Sequence, residues 1–129
     1  MKVIGFSAGS VGREGNADRM IKAILENSGH DVEFVKLTDF NFSGCKGCVQ
    51  LCARPQVCKM EDDAKPFYEK IMEADAVVIG TPVYIDNITA TVRAFIERFY
   101  GYRHVDIQIA GKPFVTVVTG AMMTDSAVE

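Results

Sequence analysis

The amino-acid sequence predicts an α/β domain in which helices cover both faces of a parallel sheet. Short apolar runs alternate along the 129 residues with one-faced helical stripes, in the order β-α-β-loop-α-β-α-β. One run, residues 76–79, is apolar at every position, as expected for a central strand buried on both sides. Right-handed crossovers with one reversal of direction give a doubly wound sheet with strand order 2-1-3-4. Such sheets bind ligands beyond the carboxyl ends of the first and third strands.

The first half of the chain predicts a strand, a helix and a second strand. The strand at 3–6 breaks into a glycine-rich turn. Over 17–25, apolar residues then recur with the i, i+3, i+4, i+7, i+8 spacing of a helix with one buried face. Asn16 is the predicted N-cap, and Gly29 is placed to end this helix. The alternating residues 31–37 predict the second strand.

The second half begins with a long loop, residues 38–62, without clear periodicity. Loops of this length in a compact domain are usually functional or disordered. A helix is predicted to open at Asp62-Asp63, and another to begin at about Thr89 after the third strand. Residues 114–118 predict the fourth strand.

The composition fits one globular domain, residues 1–129, with 48% apolar and 24% charged residues. The net charge of −3, without a block of lysine or arginine, argues against a nucleic-acid or membrane partner. No apolar run approaches the roughly 18 residues that span a bilayer. The apolar stretch at 3–6 is too short for a signal peptide. We therefore expect a soluble, cytoplasmic protein.

The loop after the first strand, residues 7–16, has the features of a phosphate-binding turn. Glycines permit close backbone approach, hydroxyl and N–H groups donate hydrogen bonds, and the helix N-terminus and Arg13 add positive potential. The loop lacks the Gly-Lys-Ser/Thr ending of a P-loop, and its G-x-x-G-x-x-G spacing is not the dinucleotide fingerprint. A glycine-rich turn without a ligand is the alternative.

The loop after the third strand, residues 80–87, contains apolar side chains where polar ones are expected. Tyr84 stands between Val83 and Ile85, which suggests a flat aromatic ligand. Alternatively, Val83 and Tyr84 fold back onto the core. Asp86 and Asn87 are either ligand contacts or N-caps of the next helix.

Four cysteines lie within fourteen residues in the pattern C-x2-C-x3-C-x5-C, at Cys45, Cys48, Cys52 and Cys58. Thiolates so close in sequence suit an iron–sulfur cluster or zinc, although structural zinc usually takes two separated C-x2-C pairs. A metal-free redox dithiol beside Lys46, or no special role, are further alternatives. His30 and His104 are each expected at the surface rather than in catalysis.

Taken together, these motifs resemble those of the iron–sulfur flavoproteins, which belong with the NAD(P)H-dependent FMN reductases on a flavodoxin-like fold. The resemblance is carried by Gly15-Asn16, by the cysteines followed by Asp62-Asp63, and by residues 80–84 with 95–98. The usual cluster spacing in that family is C-x2-C-x2-C, so this chain has one additional residue before Cys52.

The resemblance implies non-covalent FMN and a [4Fe–4S] cluster held by the four cysteines. The implied phosphate contacts are Ser7, Ser10, Arg13 and Asn16, with Ala17 where the family often has threonine. The residues implied at the flavin ring are Pro82, Val83, Tyr84, Ile85, Asn87, Thr119 and Gly120. The implied function is electron transfer between FMN and the cluster, with a ferredoxin-like protein or NAD(P)H as redox partner. A reductase of flavin or quinone without a cluster, and a zinc-stabilised binding module, are the alternatives.

The resemblance also bears on length. Chains of this family continue after the fourth strand with a helix, a fifth strand and a last helix, whereas only residues 121–129 follow here. The third and fourth strands would then expose apolar side chains, and the fourth strand would be an open edge. We therefore expect either a truncated chain or a homo-oligomer, a dimer or tetramer, that covers this surface.

Overall fold

A computed structural model describes residues 1–121 and contains a five-stranded sheet with helices on both faces. The strands are β1 (Lys2–Ser7), β2 (Asp31–Lys36), β3 (Ala76–Tyr84), β4 (Asn87–Ile88) and β5 (Phe114–Thr119). The α-helices are α1 (Asn16–Asn27), α2 (Val49–Cys52), α3 (Lys65–Glu73) and α4 (Ala90–Glu97). Short 3₁₀ helices span Leu37–Asp39 and Arg98–Tyr102.

The sheet has the predicted topology. Four parallel strands lie in the order β2-β1-β3-β5, so the predicted order 2-1-3-4 is confirmed, with β5 as the predicted fourth strand. Two features differ from the prediction. Strand β3 continues past residue 79 to Tyr84, and the two-residue β4 pairs antiparallel with its end. The registers place Ser7 opposite Gly80, and Pro82 opposite Thr119, so the ends of three strands lie side by side.

Helix α1 covers one face of the sheet at very short range. Its residues Ile21 and Leu25 are buried with Val3, Val78 and Val117. A Cβ atom on Gly5 would lie 2.6 Å from Cγ2 of Ile21, so glycine at this position lets the helix approach the strand backbone. The helix begins one residue after its N-cap Gly15 instead of after the predicted Asn16.

Helices α3 and α4 cover the other face through a cluster of aromatic rings. The rings of Phe6 and Phe95 have centroids 4.9 Å apart, and Tyr68 stacks on Phe95 at 5.0 Å. The Tyr68 hydroxyl donates to the carbonyl oxygen of Phe95 at 2.8 Å, which satisfies the polar end of a fully buried side chain. Burial raises the pKa of Tyr68 far above its ordinary value. Thr89, rather than Asn87, caps α4 by accepting from the N–H of Val92 at 3.4 Å.

Strand β5 is the outer strand of this half of the sheet. Among residues 1–121, its strand partner is β3. Phe114 and Val115, on its two faces, are 38% and 44% exposed. Apolar surface therefore lies open at β5, as expected from the sequence. No helix in the described part of the chain is long and apolar enough to cross a membrane.

Candidate functional site

The loop between β1 and α1 lies at the carboxyl end of the sheet and presents free backbone donors. Ala8 N–H donates to the carbonyl oxygen of Gly80 at 2.9 Å, which fixes the start of the loop against β3. Within residues 1–121, the N–H groups of Ser10, Val11 and Gly12 have no protein acceptor. Gly12 has a φ of +72°, a conformation that glycine adopts without strain. Unpaired N–H groups before a helix N-terminus are a ready site for an anion.

A buried carboxylate, Asp18, supports this loop from the protein side. Its Oδ1 accepts from the Ser7 hydroxyl at 2.5 Å, and its Oδ2 accepts from the Gly15 N–H at 2.8 Å. Ser7 is fully buried, and its hydroxyl oxygen accepts from the Gly9 N–H at 3.1 Å. The structure therefore places Ser7 beneath the loop, where its hydroxyl donates its hydrogen bond to Asp18. Its predicted phosphate contact stays a prediction.

Lys36, the last residue of β2, completes this network. Its Nζ donates to Asp18 Oδ2 at 3.1 Å and to the carbonyl oxygen of Arg13 at 2.5 Å. Burial raises the pKa of the Asp18 carboxyl, but the bonds from Ser7, Gly15 and Lys36 outweigh it, so the net pKa lies below the ordinary value. Neither Asp18 nor Lys36 was predicted from the sequence as a site residue. An acidic residue at the third helical position is typical of capping boxes, and this pattern could have indicated Asp18. No local sequence pattern indicates Lys36.

The hairpin that joins β3 to β4 presents apolar side chains to solvent. Ile85 and Asp86 have φ values of +51° and +58°, the pattern of a type I′ turn, which normally takes asparagine or glycine. A β-branched residue at positive φ is strained, and such strain concentrates at functional sites. Ile85 is 97% exposed and Tyr84 53% exposed, so these two side chains do not fold back onto the core. Val83 is half-buried.

The remaining predicted ring contacts lie at the end of β5. Thr119 pairs in register with Pro82, and Gly120 follows it. A cleft of about 640 Å³ is lined by Asn16 together with Thr119 and Gly120. The structure therefore brings three sequence-predicted segments to one end of the sheet: the loop after β1, the β3–β4 hairpin and the end of β5.

The cysteine loop has two exposed or half-exposed thiols and two buried ones. Cys45 is exposed and Cys48 intermediate, whereas Cys52 and Cys58 are buried. Cys52 Sγ lies 3.2 Å from Nε2 of His104, whose side chain is partly exposed. Burial, followed by the neighbouring Cys48 thiol, raises the pKa of Cys52.

Four thiols have the donor chemistry of a cluster site, but their arrangement is not that of a ligand set. Across the described residues, no group of three or more His, Cys, Asp or Glu side chains is gathered to hold a metal ion. The placed side chains therefore do not fit a [4Fe–4S] cluster without rearrangement.

A buried ion pair attaches the end of the cysteine loop to the 3₁₀ helix that follows α4. Arg98 is 1% exposed, and its Nη1 donates to both carboxylate oxygens of Asp62, at 2.6 and 2.5 Å. Its guanidinium carbon lies 5.3 Å from the ring centroid of Tyr68, and Nη2 donates to the carbonyl oxygen of Met60 at 3.3 Å. Burial lowers the pKa of Arg98, but Asp62 and Cys58 raise it more, so the group stays charged. This pair joins two of the motifs that carry the family resemblance.

The fold and the site define a flavodoxin-like protein with a loop of unpaired N–H groups beside an apolar hairpin. Comparison with known families then identifies it more closely. The chain belongs to the NADPH-dependent FMN reductase family, which matches residues 1–128. The family resemblance and the flavodoxin-like fold predicted from the sequence are therefore confirmed. The unpaired N–H groups, the helix N-terminus and the exposed Tyr84 and Ile85 fit the phosphate and ring of FMN.

The relatives with similar sequences are iron–sulfur flavoproteins. One from Archaeoglobus fulgidus is 36% identical over 103 residues, which cover 80% of this chain and 50% of the relative. One from Methanocaldococcus jannaschii is 32% identical over 124 residues, which cover 94% of this chain and 63% of the relative. The chain spans about half the length of the first curated relatives it matches.

Solved structures of reductases share the fold. An azoreductase superposes with a TM-score of 0.69 at 13% identity, covering 99% of this chain and 77% of its own. A flavone reductase superposes with a TM-score of 0.66 at 21% identity, covering 98% of this chain and 45% of its own. At these identities, the likeness establishes the fold alone.

Proposed function

We propose that this chain forms the FMN-binding part of an oxidoreductase that transfers electrons between FMN and an external redox partner. The observation that carries the proposal is the juxtaposition of unpaired loop N–H groups with the exposed, strained hairpin at the neighbouring strand end. Donors for a dianion beside an apolar platform are what a flavin mononucleotide requires. Membership of the NADPH-dependent FMN reductase family supports the same conclusion.

The residues proposed for each part of FMN follow from their positions. Ser10, Arg13 and Asn16, with the loop N–H groups, would hold the phosphate at the start of α1. Ala17 begins the buried face of that helix. Tyr84 and Ile85 would cover one side of the ring, and the end of β5 would approach its polar edge. Bound FMN would supply the redox chemistry, and these residues would bind and orient it.

Flavin titration tests this proposal. Quenching of FMN fluorescence by the chain is expected to saturate at one FMN per chain, and riboflavin, which lacks the phosphate, is expected to bind more weakly. Arg13→Met should reduce the preference for FMN, and Arg13→Lys should retain part of it. A folded chain that binds neither flavin contradicts the proposal.

We also propose that Cys45, Cys48, Cys52 and Cys58 ligate a [4Fe–4S] cluster. The names of the relatives and the four thiols within one short loop support this. Such a site requires the four thiols to converge, which includes a move of Cys52 away from His104.

Anaerobic reconstitution followed by iron, sulfide and zinc analysis tests the cluster. Four iron atoms per chain, lost on Cys52→Ser but retained on the matched Ser43→Ala, would support it. Bound FMN with near-zero iron favours the alternative, an NAD(P)H-dependent FMN or quinone reductase without a cluster. Stoichiometric zinc without flavin favours the binding module.

For partners, we propose NAD(P)H or a ferredoxin-like protein as the redox partner and a homo-oligomer as the assembly. Free thiols in every described cysteine suit the reducing cytoplasm, which we propose as the location. The open apolar surface at β5 supports an assembly that covers it. Sedimentation equilibrium tests this last point, and a monomer at all concentrations contradicts it.

A further inference from the structure

The loop that would receive the phosphate rests on a negative charge. Asp18 is 1% exposed, and its carboxylate contacts both ends of the loop. It accepts from Gly15 N–H at 2.8 Å, and a Cβ on Gly9 would lie 2.5 Å from its Oδ1. An uncompensated carboxylate at this position would repel a phosphate dianion through a poorly hydrated interior, where charge interactions are stronger than in water.

Lys36 supplies the compensating charge. Its ammonium group lies 3.1 Å from Asp18 Oδ2, and its side chain is only 14% exposed. Within residues 1–121, it is the cation that pairs with Asp18. Lys22, on the same side of the loop, pairs instead with the exposed Glu14 at 2.5 Å. Lys36 also donates to the carbonyl oxygen of Arg13, so its protons are directed into the protein.

We propose that Lys36 is a positioning residue for FMN: it neutralises Asp18 beneath the loop, so that the loop N–H groups and Arg13 meet the phosphate without opposing charge. This inference rests on the proposed function. It identifies Lys36, which lies outside the loop, as a residue that controls the selectivity of the loop for the phosphorylated flavin. The role is indirect, since Lys36 acts through Asp18 rather than by contact with the ligand.

A double-mutant cycle that removes each charge in turn separates this role from direct contact and from simple support of the fold. Lys36→Met removes the positive charge while retaining most of the side-chain length, and Asp18→Asn removes the negative charge while keeping an acceptor for the loop. If Lys36 acts through Asp18, the double variant recovers what Lys36→Met loses. If Lys36 touches the phosphate, the double variant does not recover.

The experiment measures the dissociation constants of FMN and riboflavin for the full chain and each variant, at one ionic strength, by flavin fluorescence. Lys36→Met is expected to weaken FMN binding about 10- to 100-fold, which lies within the typical range for coupling between two sites in one protein. Riboflavin binding should change less than about 3-fold. The double variant should bind FMN within about 3-fold of Asp18→Asn alone. Lys36→Arg should retain FMN binding. Lys22→Met is the matched control, because it removes a lysine whose ion pair with Glu14 is exposed, and it should leave FMN binding unchanged.

The outcomes are distinct. If Lys36→Met binds FMN with wild-type affinity, the inference is overturned but the proposed function is not. The same holds if the double variant binds FMN as weakly as Lys36→Met does. An equal loss of FMN and riboflavin shows a structural role and also overturns it. A wild-type chain that binds neither flavin overturns the proposed function, and this inference with it. Far-UV circular dichroism confirms folding, and Lys36→Gln replaces Lys36→Met if the latter unfolds.

Discussion

Replacing Asp62 by asparagine leaves the buried Arg98 guanidinium without its counter-ion. Arg98 is 1% exposed, so water cannot replace the two contacts at 2.6 and 2.5 Å that Nη1 makes with the carboxylate. Breaking one side of a buried ion pair costs about 3–5 kcal/mol. Asparagine keeps one oxygen acceptor, which places the expected loss near the lower end, about 3 kcal/mol. That is a large part of the roughly 5–15 kcal/mol that stabilises a typical domain.

Urea unfolding followed by circular dichroism measures this loss. With a slope of about 1–3 kcal/mol per molar urea, the midpoint should fall by about 1–3 M. Glu61→Gln is the control, since the ion pair of Glu61 with Lys65 is exposed and should contribute less than about 1 kcal/mol. Asp62→Asn combined with Arg98→Met should regain stability, because an apolar side chain replaces an unpaired charge. Equal midpoints for Asp62→Asn and Glu61→Gln would refute the reasoning.

Three further predictions concern the hairpin, the buried carboxylate and the thiols. Ile85→Gly should raise the free energy of unfolding by about 1 kcal/mol, because glycine adopts a positive φ without strain. The same change should weaken flavin binding, because it removes the Ile85 side chain. A lower urea midpoint for this variant would contradict the inferred strain. The lowered pKa of Asp18 means that its ionised form stabilises the fold above its ordinary value of 3.8, and that this stability is lost as pH falls through the folded pKa. The difference in urea midpoint between wild type and Asp18→Asn should therefore stay constant from pH 7 to about pH 5 and shrink as the pH falls below 3.8. A difference that is undiminished at about pH 2 argues against this reasoning. In the metal-free chain, iodoacetamide should label Cys45 first and Cys58 among the last, as read by peptide mass spectrometry, whereas equal rates contradict the described burial.

The sequence predicted those parts of the fold that depend on local pattern. The uninterrupted apolar run at 76–79 identified the central strand, because a strand buried on both faces needs apolar side chains on both. Its true length was not predicted, since Gly80-Thr81-Pro82 resembles a turn. The strand continues through this segment because β5 on one side and β4 at the end both pair with it.

The site was predicted less completely than the fold, because its supporting contacts join distant residues. Lys36 and Asp18 are brought together by the pairing of β2 with β1 and the crossover through α1, and neither has a sequence pattern that names the other. His104 likewise meets Cys52 across 52 residues of chain. Local patterns located the loop and the hairpin, whereas the charges beneath the loop depend on the assembled sheet.

The open strand β5 has a practical consequence for handling the isolated chain. Its sequence, Phe-Val-Thr-Val-Val-Thr, has no charge and no proline, and its outward N–H and C=O groups have no strand neighbour among residues 1–121. Six such residues form a template on which further chains can add as intermolecular β-structure when the protein is concentrated or warmed. A single lysine at the exposed Thr116 would interrupt that template while leaving the parallel pairing with β3 in place, and would keep the chain dispersed during flavin titrations.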